Sequence, residues 1–135
     1  MGNVTIINGL ETFTFQPGDV TSVKVLKQGS LDVNPMPASD SDDAFVIDFN
    51  GVLKTITLMG DLSNASSTRV SGGSVSTIAE QIDWLLTLVD GAQTGYTFGS
   101  TFQTGKTVYC RKVDFDELQG EITKSPFTIE FVEGV

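Results

Sequence analysis

Only one stretch of this chain carries the 3.6-residue rhythm of a helix, and that stretch is short. From Thr77 to Val89, apolar residues fall at Ile78, Ile82, Leu85, Leu86 and Val89, a single stripe along one helical face. Thr77 and Glu80 stand three apart at its start, the spacing at which hydroxyl and carboxylate satisfy each other's orphan backbone donors. Asp90-Gly91 supplies a stop. Most of the rest alternates with the two-residue period of strands. A chain with this rhythm must bury one face of a sheet and has a single helix to help cover it. The expectation is a mainly β fold, an antiparallel β-sandwich or barrel with one amphipathic α-helix packed on its side.

The strands are legible in outline. Val4–Ile7 and Phe13–Phe15 flank an Asn8-Gly9 turn pair, and Pro17-Gly18-Asp19 makes a second turn. Val20–Leu26 alternates, with Val23 and Val25 on one face and Lys24 between them. Residues 28–43 read as a long loop, holding Pro35, Pro37, Asp40, Asp42 and Asp43. A loop of that length is uncommon in a compact domain unless it has a task. Its apolar residues Leu31, Val33 and Met36 have little reason to sit in a purely solvated segment, and they are the candidate subunit contacts. Ala44–Leu62 reads as a hairpin turning at Asn50-Gly51, with Phe45, Ile47 and Phe49 in one arm and Leu53, Thr55, Thr57 and Met59 in the other. Ser63–Ser76 reads as a flexible connection. Tyr96–Phe98, Val108–Phe115 and Phe127–Val132 close the chain as strands, with Phe127, Ile129 and Phe131 on one face. No repeat interrupts this order, so residues 1–135 are expected to form one β-rich domain.

Elimination narrows the chemistry. With no histidine, the chain lacks a His-based triad, an imidazole metal ligand and a histidine acid or base. A single cysteine, Cys110, leaves no internal disulfide and no thiolate cluster. Seventeen acidic against eight basic residues give a formal charge of -9, which opposes wrapping of nucleic acid or adsorption to an anionic membrane. The first residues, Met1 to Ile7, show neither a secretion signal nor a myristoylation pattern, and no apolar run is long enough for a membrane span. Synthesis in a reducing cytosol is expected, and the sequons at Asn3 and Asn64 are then chance matches.

Four local patterns invite a functional reading. Gly99–Thr107 resembles a phosphate-binding loop, but five residues separate its glycines and a strand pattern follows Lys106-Thr107 where a helix is required; a turn between antiparallel strands fits better. Asp40, Asp42, Asp43 and Asp48 could gather a cation, yet Phe45 and Gly51 stand where a calcium loop needs Gly and Glu, leaving a solvated acidic loop as the simpler account. Asp114 and Asp116, with Glu117 beside them, share a strand face as a carboxylate pair could, and nothing places them across a cleft. Cys110 has no histidine to activate it and reads as a buried small side chain. Trp84, Tyr96, Phe98 and Phe102 read as packing before they read as a ligand platform. No catalytic, cofactor-binding or metal-binding residue is expected.

The string Val46-Ile47-Asp48-Phe49-Asn50-Gly51-Val52 leads to Ile56-Thr57-Leu58-Met59-Gly60-Asp61-Leu62. The helix Ile78–Val89, the string Asp90-Gly91-Ala92-Gln93-Thr94-Gly95-Tyr96-Thr97-Phe98, and the ending Phe127-Thr128-Ile129-Glu130-Phe131-Val132-Glu133-Gly134 follow. In rhythm and composition, residues 44–134 resemble the tail tube and baseplate-tube structural proteins of tailed bacteriophages. The resemblance implies a non-enzymatic subunit, without cofactor, that joins copies of itself into rings, commonly hexameric, around a channel. DNA would pass through unheld, adjoining tail or baseplate proteins would be the other partners, and the place would be the virion tail, assembled in the host cytoplasm. A tail-terminator or baseplate adaptor is the neighbouring alternative. A carbohydrate- or receptor-binding β-domain and a hydrolase using Asp114 and Asp116 are the readings from other classes.

Overall fold

A computed structural model of the chain describes residues 4–35, 44–91, 94–120 and 122–134. Their alternation becomes seven strands: β1 (Thr5–Asn8), β2 (Glu11–Thr14), β3 (Val20–Pro35), β4 (Ala44–Ser63), β5 (Gly95–Gly99), β6 (Lys106–Phe115) and β7 (Lys124–Glu133). All pair antiparallel in one sheet of order β2-β1-β5-β6-β7-β4-β3. The single helix, α1 (Ile78–Leu86), lies between β4 and β5 in the chain.

The strand order dictates the shape. β2 and β3 are the two ends of the sheet, yet only Phe15–Asp19 joins them. Laid flat, six inter-strand gaps would separate them by about 29 Å, whereas Thr14 to Val20 reaches at most about 21 Å even when stretched. A turn from Gln16 O to Asp19 N shortens that reach further. The sheet is therefore rolled, and Phe15 at one edge stacks on Phe127 of β7 at a ring separation of 5.4 Å. This is the mainly β, barrel-like architecture expected.

Inside the roll, β1 and β2 with the residues flanking them contribute Val4, Ile6, Phe13 and Phe15, β5 Tyr96 and Phe98, and β7 Phe127, Ile129 and Phe131, all buried. On β4 the buried apolar residues are Ile56, Leu58 and Leu62, which alternate with the Leu53, Thr55, Thr57 and Met59 series named in the sequence; Met59 is 46% exposed. Cross-strand partners decide the phase, because Ile56 pairs with Phe131 and Leu58 with Ile129. On β6, apolar residues change parity between Cys110 and Val113, and a register shift at Arg111 absorbs the extra residue.

The capping box forms as the spacing predicts: Thr77 Oγ1 accepts from Glu80 N, and the Glu80 carboxylate accepts from Thr77 N. Asn64 Oδ1 accepts from Ile78 N as well. The helix ends at Leu86, short of Val89, because Thr87, Leu88 and Val89 donate to carbonyls three residues back. That tightening turns Leu88 into the core and leaves Leu86 and Val89 about half exposed. Tyr96 Oη donates to the Leu88 carbonyl, and Trp84 stacks on Phe13 while its indole N–H donates to Glu11.

Two connections differ from expectation. Ser63–Ser76 is packed: Val70 is buried and bridges Phe13, Thr14 N donates to Arg69 O, and Ser71 N donates to Thr12 O. The segment thereby covers the free edge of β2. The second difference concerns residues 28–35 and the turn at Asn50-Gly51, and it shapes the candidate site.

Candidate functional site

Residues 28–35, expected in a loop, are strand. β3 continues to Pro35 and pairs with β4 from Val20↔Gly60 out to Pro35↔Ala44. Asn50 and Gly51 accordingly lie inside β4, where Phe49-Asn50-Gly51 stand opposite Ser30 alone, between the pairs Gly29↔Val52 and Leu31↔Asp48. The residues that suggested a turn accommodate a bulge, the other backbone feature that tolerant residues serve. Residues 36–43, including Met36, Asp40, Asp42 and Asp43, lie outside the described residues. Leu31 and Val33 sit on β3, paired with Asp48 and Val46.

The third strand gives out before the hairpin does. β7 pairs with β4 only from Ser63↔Lys124 to Thr55↔Val132. Beyond that point, among the described residues, Lys27–Pro35 and Ala44–Lys54 pair only with each other, a two-stranded arm about 30 Å long at 3.3 Å per residue. At its base, Lys54 pairs with Glu133 at 2.7 Å and donates to Gln103 Oε1 at 3.3 Å, fastening β4 to the end of β7 and to the β5–β6 loop. Leu26 and Leu53 are exposed there, and Phe102 in that loop is 90% exposed, contrary to the packing role expected of it.

β3 is also the sheet's open edge. Among the described residues no backbone hydrogen bond reaches its outer side from Val20 to Pro35, whereas the opposite edge is covered by Arg69–Ser71.

The remaining candidates fall out as follows. Gly99–Thr107 joins β5 to β6 through a turn closed by Ser100 N donating to Gln103 O, with strand after Lys106. Asp114 and Asp116 do come together with Asp61, lining a groove of about 330 Å³ on the outward face with Thr21, Met59 and Thr128. No three acidic, thiol or imidazole groups among the described residues converge as metal ligands. Cys110 is half buried, and desolvation pushes its thiol up to about 11, against a weaker opposing hydrogen bond to Lys112 O. This is the environment of an unreactive thiol. Tyr96 and Phe98 are core residues, as expected. Sequence reasoning missed the arm itself; its signal was the apolar content of residues 44–53, which matched a strand pairing along its whole length as well as a hairpin.

No family model matches the chain, and no curated protein matches it. Among solved structures it is similar to a chain in the tail of an empty GTA (gene transfer agent) particle, determined by helical refinement with C6 symmetry. The likeness spans 99% of this chain and 91% of that one at a TM-score of 0.55 and 4% sequence identity. The fold is thus shared with a phage-like tail subunit, although almost no residues are.

Proposed function

We propose that the chain is a non-enzymatic structural subunit of a phage-like tail, which joins copies of itself into six-membered rings around a channel for DNA. The arm carries this reading. A two-stranded ribbon without a third strand is marginal in water, so an arm of this length is stable only when it lies against something else. A neighbouring copy is the simplest such support, and β3 offers it an open edge. The two contact surfaces, arm and edge, belong to one side of the sheet. Contacts of this head-to-tail kind close into rings when the rotation permits. The C6 symmetry of the structurally similar tail supports six. The charge of -9, repeated around a bore, would repel phosphate and keep DNA mobile.

Because Lys27 pairs with Lys54, the arm can be removed by replacing residues 28–53 with Asn-Gly. The shortened protein is expected to melt like the parent yet remain a monomer in sedimentation and negative-stain images, in which the parent forms rings or tubes. A parent that stays monomeric at high concentration, or a shortened protein that still builds rings, overturns the proposal.

A further inference from the structure

The outward face of the sheet carries a basic band in an otherwise acidic molecule. The bulge on β6 leaves Arg111 and Lys112 both exposed on consecutive residues. Lys112 pairs with Glu130 of β7, Glu130 with Thr57 of β4, and Thr57 with Lys24 of β3, so one row crosses four strands. Lys24 is exposed too, roughly 14 Å from Lys112 at three strand spacings. Within the row the one acidic residue is Glu130, which accepts from Arg111 Nη2 at 3.1 Å. Three cations therefore face one carboxylate. Asp61, Asp114 and Asp116 line the groove further along the same face, toward the β6–β7 loop.

The arm has the opposite character. Past the Lys27–Lys54 pair at its base, residues 28–53 hold Asp32 and Asp48 on the strands and Asp40, Asp42 and Asp43 in the sequence between them, and neither lysine nor arginine. A ribbon this acidic is repelled by most of a -9 surface and attracted to the band.

We propose that the acidic β3–β4 arm of one copy lies across the Lys24–Arg111–Lys112 band of a second copy. The inference rests on the self-assembly proposed above and names the surface that receives the arm. The aspartates of the groove bound the band on one side and oppose any register that slides the arm over them.

A charge swap tests it. Arg111→Glu with Lys112→Glu reverses the band, and Asp32→Lys with Asp48→Lys reverses part of the arm. Each pair alone should raise the concentration needed for assembly roughly tenfold or more, by loss of cross-interface charge pairs. The four changes together should restore assembly toward the parent's. All positions are read against unchanged melting, with Arg111→Gln/Lys112→Gln as a milder band variant. If the parent assembles and the well-folded band variants assemble equally well, the inference is wrong while the tail reading stands. A swap that fails to rescue also overturns it. If instead the parent binds duplex DNA and the band variants lose only that, the band serves phosphate, and the arm docks elsewhere. A parent that never assembles refutes the underlying reading.

Discussion

Gly60 lies where the rolled sheet closes, and an alanine there should be costly. On β4 the inward positions run Ile56, Leu58, Gly60, Leu62, so a side chain at Gly60 would point where its neighbours are buried. That place is taken by the β2–β3 connection. A Cβ on Gly60 would stand 1.9 Å from the Asp19 carbonyl oxygen, against 3.4 Å for ordinary contact. The connection would have to withdraw by about 1.5 Å, and three hydrogen bonds hold it in place. Asp61 N donates to that same carbonyl at 2.9 Å, while Ser63 Oγ and Ser63 N donate to the Asp19 carboxylate at 2.8 and 3.3 Å. Overpacking of this kind costs about 1–3 kcal/mol, and each hydrogen bond lost adds about 1 kcal/mol. Gly60→Ala should therefore destabilise by about 3–5 kcal/mol, which lowers Tm by roughly 12–20 °C in a chain of this size. Urea and thermal denaturation, followed by circular dichroism, measure both. Gly73→Ala is the control: its Cβ would meet Val70 Cγ1 at 3.4 Å, and the change should stay within about 0.5 kcal/mol. A Gly60→Ala loss no larger than the control's would refute the close packing of the connection on β4, and with it the rolled shape inferred from strand order.

Two further predictions concern titratable groups. Backbone hydrogen bonds from Thr77 and Ser76 hold the Glu80 carboxyl below its ordinary value of 4.5. A depressed folded value means that its contribution is complete above 4.5 and is lost as pH falls through the folded value. Glu80→Gln should accordingly flatten the acid limb of a Tm-against-pH curve; an unchanged limb would show that the capping carboxylate adds nothing. Cys110, with its thiol raised from 9.0 to about 11, holds about a hundredth of the ordinary thiolate at pH 8. The greater nucleophilicity of a more basic thiolate recovers about tenfold, leaving alkylation by iodoacetamide roughly tenfold slower than in the urea-unfolded chain. Equal native and unfolded rates would mean that Cys110 is not desolvated.

Much of this fold could be read from residues alone, and the misses share one cause. Local signals that answer to local physics came through: the Thr77–Glu80 capping box, the turns at Gly9 and Gly18, both at positive φ, and the strict alternation of Phe127, Ile129 and Phe131. What failed depended on partners distant in the chain. The inward face of β4 is set by β7, more than sixty residues away, and Leu53 and Met59 are as apolar as Ile56 and Leu58. The bulge at Arg111 was present in the sequence as a change of parity between Val108-Cys110 and Val113-Phe115, a signal that only a strand assignment made in advance would expose.

Asn50-Gly51 is the most instructive miss, because the local chemistry was sound and the outcome still differed. A turn there would fold residues 44–49 onto 53–59 and leave β3 without a partner beyond Leu26. The observed arrangement carries the pairing of the long β3 with β4 from Val20 to Pro35, interrupted only at Thr21 and Ser30, and uses the pair's tolerance for a bulge. That choice gives the outer half of the hairpin a ladder with no third strand beside it among the described residues. An extended arm is favoured over a compact local turn when contacts made after folding repay it. The same residues that mislead a single-chain reading are therefore consistent with a molecule whose stable state includes its neighbours. Its arm should gain hydrogen-exchange protection on assembly while the amides of Ile56, Leu58 and Ile129 stay protected throughout.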